Sequence, residues 1–290
     1  MNDKKTYGLF LGCLIPSSQI FVEKAARLIA KKLDFQFIDL KGATCCPDPE
    51  ISRVVGYDAW IRIAARNLSL AEMAGYELCM ICNGCYSTFT EAYEALEKDV
   101  KLRNEVNQDL ALLGRRYDAK IGAKNFIEVL YSDIGLKKLE GALEKRFRGL
   151  KVAMQYGCRL YKETEKEYPR KFDEIIKTLG ADIVRYDAER LCCGVPSTYA
   201  DPNFSTQQRA RVKLEGLSEK KPDCIALVCP ACYDMIEKAE FMFLEPEQFI
   251  PVLNLTELVA LCLGFSPEDI GLDIHRISAY PVVEKLEEIV

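Results

Sequence analysis

Thirteen cysteines and a single histidine define the chemistry open to this chain of 290 residues. Ten of the cysteines form two series in one order and with nearly one spacing. The first runs Cys13, 31 intervening residues, Cys45-Cys46, then 35 residues to Cys82-x-x-Cys85. The second runs Cys158, 33 residues, Cys192-Cys193, then 35 residues to Cys229-x-x-Cys232. Cysteine thiolates are the ligand set of iron–sulfur clusters, whereas one zinc ion takes four at most. Five per series exceed the needs of one zinc or one cubane cluster, and a larger or bridged cluster would use them all. The lone His275 leaves no multi-histidine metal centre and no zinc-finger array.

The elements that carry these cysteines repeat as well. Apolar runs lead into Gly12-Cys13 and Gly157-Cys158, and further runs, 78–81 and 225–228, lead into each CxxC. A tyrosine follows each CxxC, at Tyr86 and Tyr233. Apolar residues at helical spacing predict helices over 17–33, 58–74, 169–179 and 205–219, with further helices from 86 and 233. Short apolar segments predict strands before each cysteine turn, including 35–40 and 183–186. Strands alternating with helices predict parallel α/β units. The repeats give an N-terminal domain at 1–136 and a C-terminal domain at 151–265. A charged linker is expected at 137–150, and the tail 266–290 has no counterpart. Every repeated cysteine then falls on a strand-to-helix turn. Helix N-termini there offer free N–H groups and partial positive charge to thiolates.

Composition narrows the setting. Acidic residues outnumber basic ones, 44 to 39, which argues against a broad nucleic-acid surface. No apolar run reaches the 18 or so residues of a membrane span, so no direct membrane insertion is expected. The segment from Thr6 to Leu11 is too short for a signal core. A cytoplasmic location is expected, where thiols stay reduced and clustered cysteines serve metal or redox chemistry.

The two series resemble the CCG domain, the cysteine-rich module of the heterodisulfide reductase B subunit. Thr44-Cys45-Cys46-Pro47 and Cys82-Asn83-Gly84-Cys85-Tyr86 carry that likeness, and the two copies together cover nearly the whole chain. The first copy departs from the Cys-Cys-Gly pattern, having Pro47 where the second has Gly194. The resemblance implies two pseudo-symmetric CCG-type α/β domains, each holding a noncubane [4Fe–4S] cluster. Cys13, Cys45, Cys46, Cys82 and Cys85 would bind one, and Cys158, Cys192, Cys193, Cys229 and Cys232 the other. Zinc at one site is the rival occupant. The implied reaction is reduction of a disulfide between the clusters. In methanogens the family's substrate is the mixed disulfide of coenzymes M and B. The chain lacks a CxxCxxCxxxCP run, so a ferredoxin-like iron–sulfur subunit, and through it a flavin subunit, would deliver electrons. The alternatives are an electron-transfer subunit with a quinone acceptor, related to lactate or glycolate oxidases or a succinate dehydrogenase, and a non-catalytic zinc or iron–sulfur assembly module.

Other residues divide between site and scaffold. Arg159 and Lys162 make the second site more basic and are candidates to grip anionic groups of a substrate. Asn83 is a candidate donor to a cluster sulfur or substrate, and Gly84 allows close backbone approach. Cys79, Cys224, Cys262 and Trp60 are expected in the core. His275, flanked by Asp273 and Arg276, is expected at the surface or a subunit contact. The basic stretches 98–103 and 137–151 are expected to be solvated.

Overall fold

A computed structural model describes residues 4–157 and 167–289. It contains two four-stranded parallel sheets of identical topology. The first comprises β1 (Thr6–Phe10), β2 (Gln36–Asp39), β3 (Leu78–Met80) and β4 (Ala123–Asn125), ordered β2-β1-β3-β4. After β5 (Lys145–Phe147) come β6 (Lys151–Gln155), β7 (Asp182–Val184), β8 (Cys224–Leu227) and β9 (Val252–Asn254), ordered β7-β6-β8-β9. Every pairing within both sheets is parallel. Burial follows from this order. The central strands β3 and β8 are buried at every residue, as expected for strands covered by helices on both faces. The edge strands β2 and β7 contain no buried residue.

In each sheet the chain moves outward from the first strand to one side and then crosses to the other. The switch therefore lies between β1 and β3, and between β6 and β8. The carboxyl ends of strands at such a switch leave a crevice in which ligands bind. Helix α1 (Ile20–Lys32) follows β1, α2 (Tyr57–Ala74) precedes β3, and α3 (Asn83–Lys98) follows it. The second half repeats this with α4 (Tyr168–Thr178), α5 (Arg211–Lys220) and α6 (Pro230–Phe243), and α7 (Leu255–Cys262) follows β9.

The helices differ from expectation at their starts. A separate turn at Leu14–Ser18 precedes α1, because Gln19 leaves the helical region at φ −130° and ψ 47°. A π-helical turn at Thr206–Ala210 precedes α5. Helices α3 and α6 begin at Asn83 and Pro230, three residues before the expected starts. Proline is well tolerated at the first helical position. Cys82 and Cys229 thus become the N-caps, and Cys85 and Cys232 sit in the first turn.

The two halves meet through α7, whose eight residues are all buried, and through α1. Thr256 Oγ1 donates to the Val22 carbonyl at 3.3 Å, and Gln19 Nε2 to the Pro230 carbonyl at 2.9 Å. The stretch expected as a linker is helical over Leu136–Ala142 and then supplies β5. Strand β5 pairs antiparallel with β10 (Leu286–Glu288), so the tail returns to the seam.

The tail also carries a correction. His275 is not a surface side chain: its imidazole is 1% exposed. Backbone around it is solvated, but the ring is drawn inward by Glu257, whose Oε1 lies 2.7 Å from Nε2. Phe21 of α1 packs on the ring at 4.2 Å between centroids, and Tyr233 Oη lies 3.2 Å from Nδ1. Burial opposes the imidazolium, but the Glu257 carboxylate outweighs it and holds the pKa above its ordinary value. A raised folded pKa means that this pair's contribution is complete below the unfolded value of about 6.5. It is lost as pH rises through the folded value. His275→Gln should therefore cost about 3 kcal/mol at pH 6, as for removal of one member of a buried pair. Its cost should shrink by pH 9. Urea midpoints of both proteins at the two pH values measure this, and an equal cost at both would refute it.

Candidate metal centre

All the described repeated cysteines gather at the carboxyl ends of the two sheets. Cys13 caps the turn after β1, Cys45 and Cys46 lie in the loop after β2, and Cys82 and Cys85 open α3. In the second half, Cys192 and Cys193 lie in the loop after β7, and Cys229 and Cys232 open α6. Cys158, Arg159 and Lys162 lie outside the described residues. The sulfurs meet in the same pairing twice. Cys46 Sγ lies 3.1 Å from Cys85 Sγ, and Cys193 Sγ lies 3.3 Å from Cys232 Sγ. Across the seam, the Cys82 and Cys229 thiols lie close enough to shift each other's acidity in opposite directions. The halves are unequally covered. Cys13 and Cys45 are exposed, whereas Cys193, Cys229 and Cys232 are buried.

The glycine before each first cysteine now has a reason. Gly12 and Gly157 adopt φ of +69° and +76°. A Cβ on Gly12 would stand 3.0 Å from Cys85 Sγ, and one on Gly157 would stand 3.2 Å from Asn83 Nδ2. The turn both needs a left-handed residue and lies against the CxxC helix, so glycine is required on two counts.

Electrostatics show what these thiols can hold. Hydrogen bonds from Cys45 and Cys85 pull the Cys46 thiol down to about 5. Hydrogen bonds from Cys232 and Cys82 hold Cys229 well below its ordinary value. The neighbouring thiols move the other way: Cys45, Cys82, Cys85 and Cys232 are pushed well up, and Cys193 up to about 12, each chiefly by a thiol neighbour. As bare groups, only Cys46 and Cys229 are favoured as thiolates. Metal ions supply the positive charge that deprotonates a whole set. Among the described residues, no three His, Cys, Asp or Glu side chains surround one point as ligands of a single metal ion. Paired cysteine thiols at the ends of both sheets are the donor type that iron–sulfur clusters take. The residues therefore fit a thiolate-held iron–sulfur group.

Asn83 has a definite role in the seam. It is 1% exposed, and its Nδ2 donates to the Tyr156 carbonyl at 3.0 Å. Its Oδ1 accepts from Asn125 Nδ2 at 2.9 Å. It thus ties the first CxxC to the turn before Cys158. A cavity of about 80 Å³ opens beside it, lined also by Gly84, Gly157, Cys193, Cys229 and Cys232. Cys79, Cys224, Cys262 and Trp60 are buried in the core, as expected. Lys213, by contrast, is a residue that reading by cysteine spacing passes over. It falls on the same face as Leu214 and Leu217 of α5 and Ala210 of the turn before it, and is buried with them. A lysine within an apolar stripe is the signal that would find it.

The cysteine-rich domain family matches the chain twice, at residues 7–90 and 152–237. Along its length the chain is similar to the B subunit of the ferredoxin/F420H2-dependent CoB-CoM heterodisulfide reductase of Methanosarcina acetivorans. Identity is 32%, covering 97% of each protein. The chain belongs to the family of heterodisulfide reductase B subunits. A more distant relative is the 8-methylmenaquinol:fumarate reductase membrane anchor subunit of Wolinella succinogenes, 26% identical over 95% of this chain and 98% of that one. Among solved structures, a hypothetical protein from Helicobacter pylori shares the fold, with a TM-score of 0.74 and 18% identity. That match covers 96% of this chain and 53% of the other. Membership makes this an oxidoreductase subunit of the iron–sulfur kind with two cysteine-rich domains. Among the described residues, no helix is long and apolar enough to cross a membrane.

Proposed function

We propose that this chain is the disulfide-reducing subunit of a heterodisulfide reductase-type complex. The observation that supports this reading is the meeting of the two halves at the seam, where Asn83 and Gly84 of the first CxxC line one cavity with Cys193, Cys229 and Cys232 of the second set. In this reading Cys13, Cys45, Cys46, Cys82 and Cys85 hold one noncubane [4Fe–4S] cluster. Cys158, Cys192, Cys193, Cys229 and Cys232 hold the other. When bound, the clusters supply single electrons. A disulfide takes two electrons and two protons and leaves as two thiols. The chain's own residues position that exchange. Asn83 keeps the first CxxC against the second half, and the buried thiols of the second set keep water from the reacting sulfurs. Arg159 and Lys162 are proposed to grip anionic groups of the disulfide. The mixed disulfide of coenzymes M and B is the proposed substrate. A ferredoxin-like iron–sulfur subunit, itself fed by a flavin subunit, is the proposed donor, in a cytoplasmic complex.

The Wolinella relative gives a second reading, an electron-transfer subunit whose acceptor or donor is a quinone. One experiment separates the two. The full chain, reconstituted anaerobically with iron and sulfide, should hold about eight of each if two four-iron clusters form. Reduced with a viologen, it should be reoxidised by the coenzyme M–coenzyme B disulfide at two electrons per disulfide. Reoxidation by a menaquinone but not by the disulfide would favour the second reading. Zinc without iron would overturn both.

A further inference from the structure

Lys213 is 1% exposed, and among the described residues no carboxylate lies within ion-pair distance of it. A cationic side chain is rarely buried without a partner. Its Nζ donates to the Ala188 carbonyl at 2.5 Å and to Tyr186 Oη at 3.4 Å, and it stands 5.3 Å above the Tyr186 ring. Tyr186 Oη in turn donates to the Met154 carbonyl of β6. Lys213 therefore ties α5 to the loop that carries Cys192-Cys193 and, through Tyr186, to the strand that leads to Gly157. The groups that favour its charged form are Cys232, Cys193 and Cys192 of the second set, together with Glu189. Burial is the largest influence and lowers its pKa to about 8, while those groups push the other way.

The first half fills the corresponding place with a neutral group. Asn67 on α2 lies 15 residues before Cys82, and Lys213 lies 16 before Cys229. Asn67 is also fully buried and also reaches back to the Cys-Cys loop, accepting from the Thr44 amide at 2.9 Å. Two helices thus brace two cysteine loops in the same way, one with an amide and one with an ammonium.

We propose that Lys213 is a positioning residue of the second cysteine set, whose buried positive charge gives the second half the higher reduction potential of the two. This rests on reading both sets as iron–sulfur sites. Each electron added to a thiolate-held cluster adds negative charge, and a fixed cation nearby in a low-dielectric interior stabilises the reduced form more. Asn67 offers the first half no such charge. Electrons entering at the more exposed first half, where Cys13 and Cys45 reach solvent, then run downhill to the buried second half.

The test is an anaerobic redox titration of the reconstituted full chain, followed by electron paramagnetic resonance, in wild type, Lys213→Met and Lys213→Gln. Glutamine removes the charge but keeps a donor for the Ala188 carbonyl. The Cys232→Ser protein, which retains the first site, assigns the signals. Both Lys213 variants should lower the second midpoint by about tenfold in the reduction constant, or about 59 mV for one electron, with the first unmoved. If Lys213→Met fails to load, Lys213→Gln decides alone. A shift in methionine but not glutamine would make Lys213 merely structural and overturn the inference. Two iron–sulfur signals unmoved by either substitution would overturn the inference while leaving the underlying reading intact. Wild-type chain without iron would overturn both.

Discussion

Replacing Cys85 or Cys232 with serine is expected to reduce bound iron from about eight to about four per chain, with loss of one cluster and retention of the other. Each cysteine touches the second member of its own Cys-Cys pair, at 3.1 Å and 3.3 Å. Each is buried in the first turn of a helix, so neither can be replaced by a neighbouring side chain swinging in. Disulfide reduction should fall by more than about a hundredfold, the upper range for loss of a supporting group at a metal site. The controls are Cys79→Ser, Cys224→Ser and Cys262→Ser. Those thiols are wholly buried and chiefly desolvated, which pushes their pKa values up. Placing a hydroxyl there should cost about 1–3 kcal/mol of stability while iron content stays whole. Iron analysis and urea unfolding on the same five proteins separate ligand from core. Retention of all the iron by Cys85→Ser and Cys232→Ser would remove those residues from the site.

What is legible in the sequence follows from which constraints are local. The spacing from Cys46 to Cys82 equals that from Cys193 to Cys229 because each spans the helical segment and the central strand that follow the Cys-Cys loop in equivalent sheets. The repeated order of β2-β1-β3-β4 and β7-β6-β8-β9 is the same constraint seen in space. The Gly-Cys turn is visible as a repeat, but its cause, the approach to Cys85 and Asn83, depends on packing between elements 70 or more residues apart. His275 is misplaced by its sequence context for the same reason. Its neighbours Asp273 and Arg276 are solvent-facing, and nothing local reveals that Glu257 and Phe21 enclose the ring. Asn83 stands at the CxxC as expected, and it also makes a contact that its sequence context does not reveal. Its amide serves the Tyr156 carbonyl, and that partner comes from the other half of the molecule.

The second large effect concerns the difference between the two Cys-Cys turns. Gly194→Ala is expected to destabilise the second loop by about 2–5 kcal/mol, whereas Pro47→Gly should leave iron content nearly unchanged. Gly194 adopts φ +109°, and an added Cβ would stand 2.8 Å from the Ser205 backbone carbonyl and 3.1 Å from Arg209 Cβ. The left-handed backbone costs an alanine about 1–2 kcal/mol. The clash adds about 1–3 kcal/mol, because backbone cannot yield as a flexible side chain does. The same residue organises the turn. Its carbonyl accepts from Ser197 Oγ at 2.8 Å and Ser205 Oγ at 2.7 Å, and its amide points to Cys192 Sγ at 3.5 Å. The first loop reaches its Cys46–Cys85 contact by another route. Proline holds φ near −65°, so no left-handed residue is used at Pro47, and its carbonyl accepts from Thr88 Oγ1 at 2.9 Å. The absence of Cys-Cys-Gly from the first copy is thus a change of backbone path that still brings Cys46 to Cys85. Iron content and urea midpoints of the two variants check this. A Gly194→Ala protein with wild-type stability and full iron would show that the second turn tolerates a side chain, and the steric account of the motif's glycine would fail.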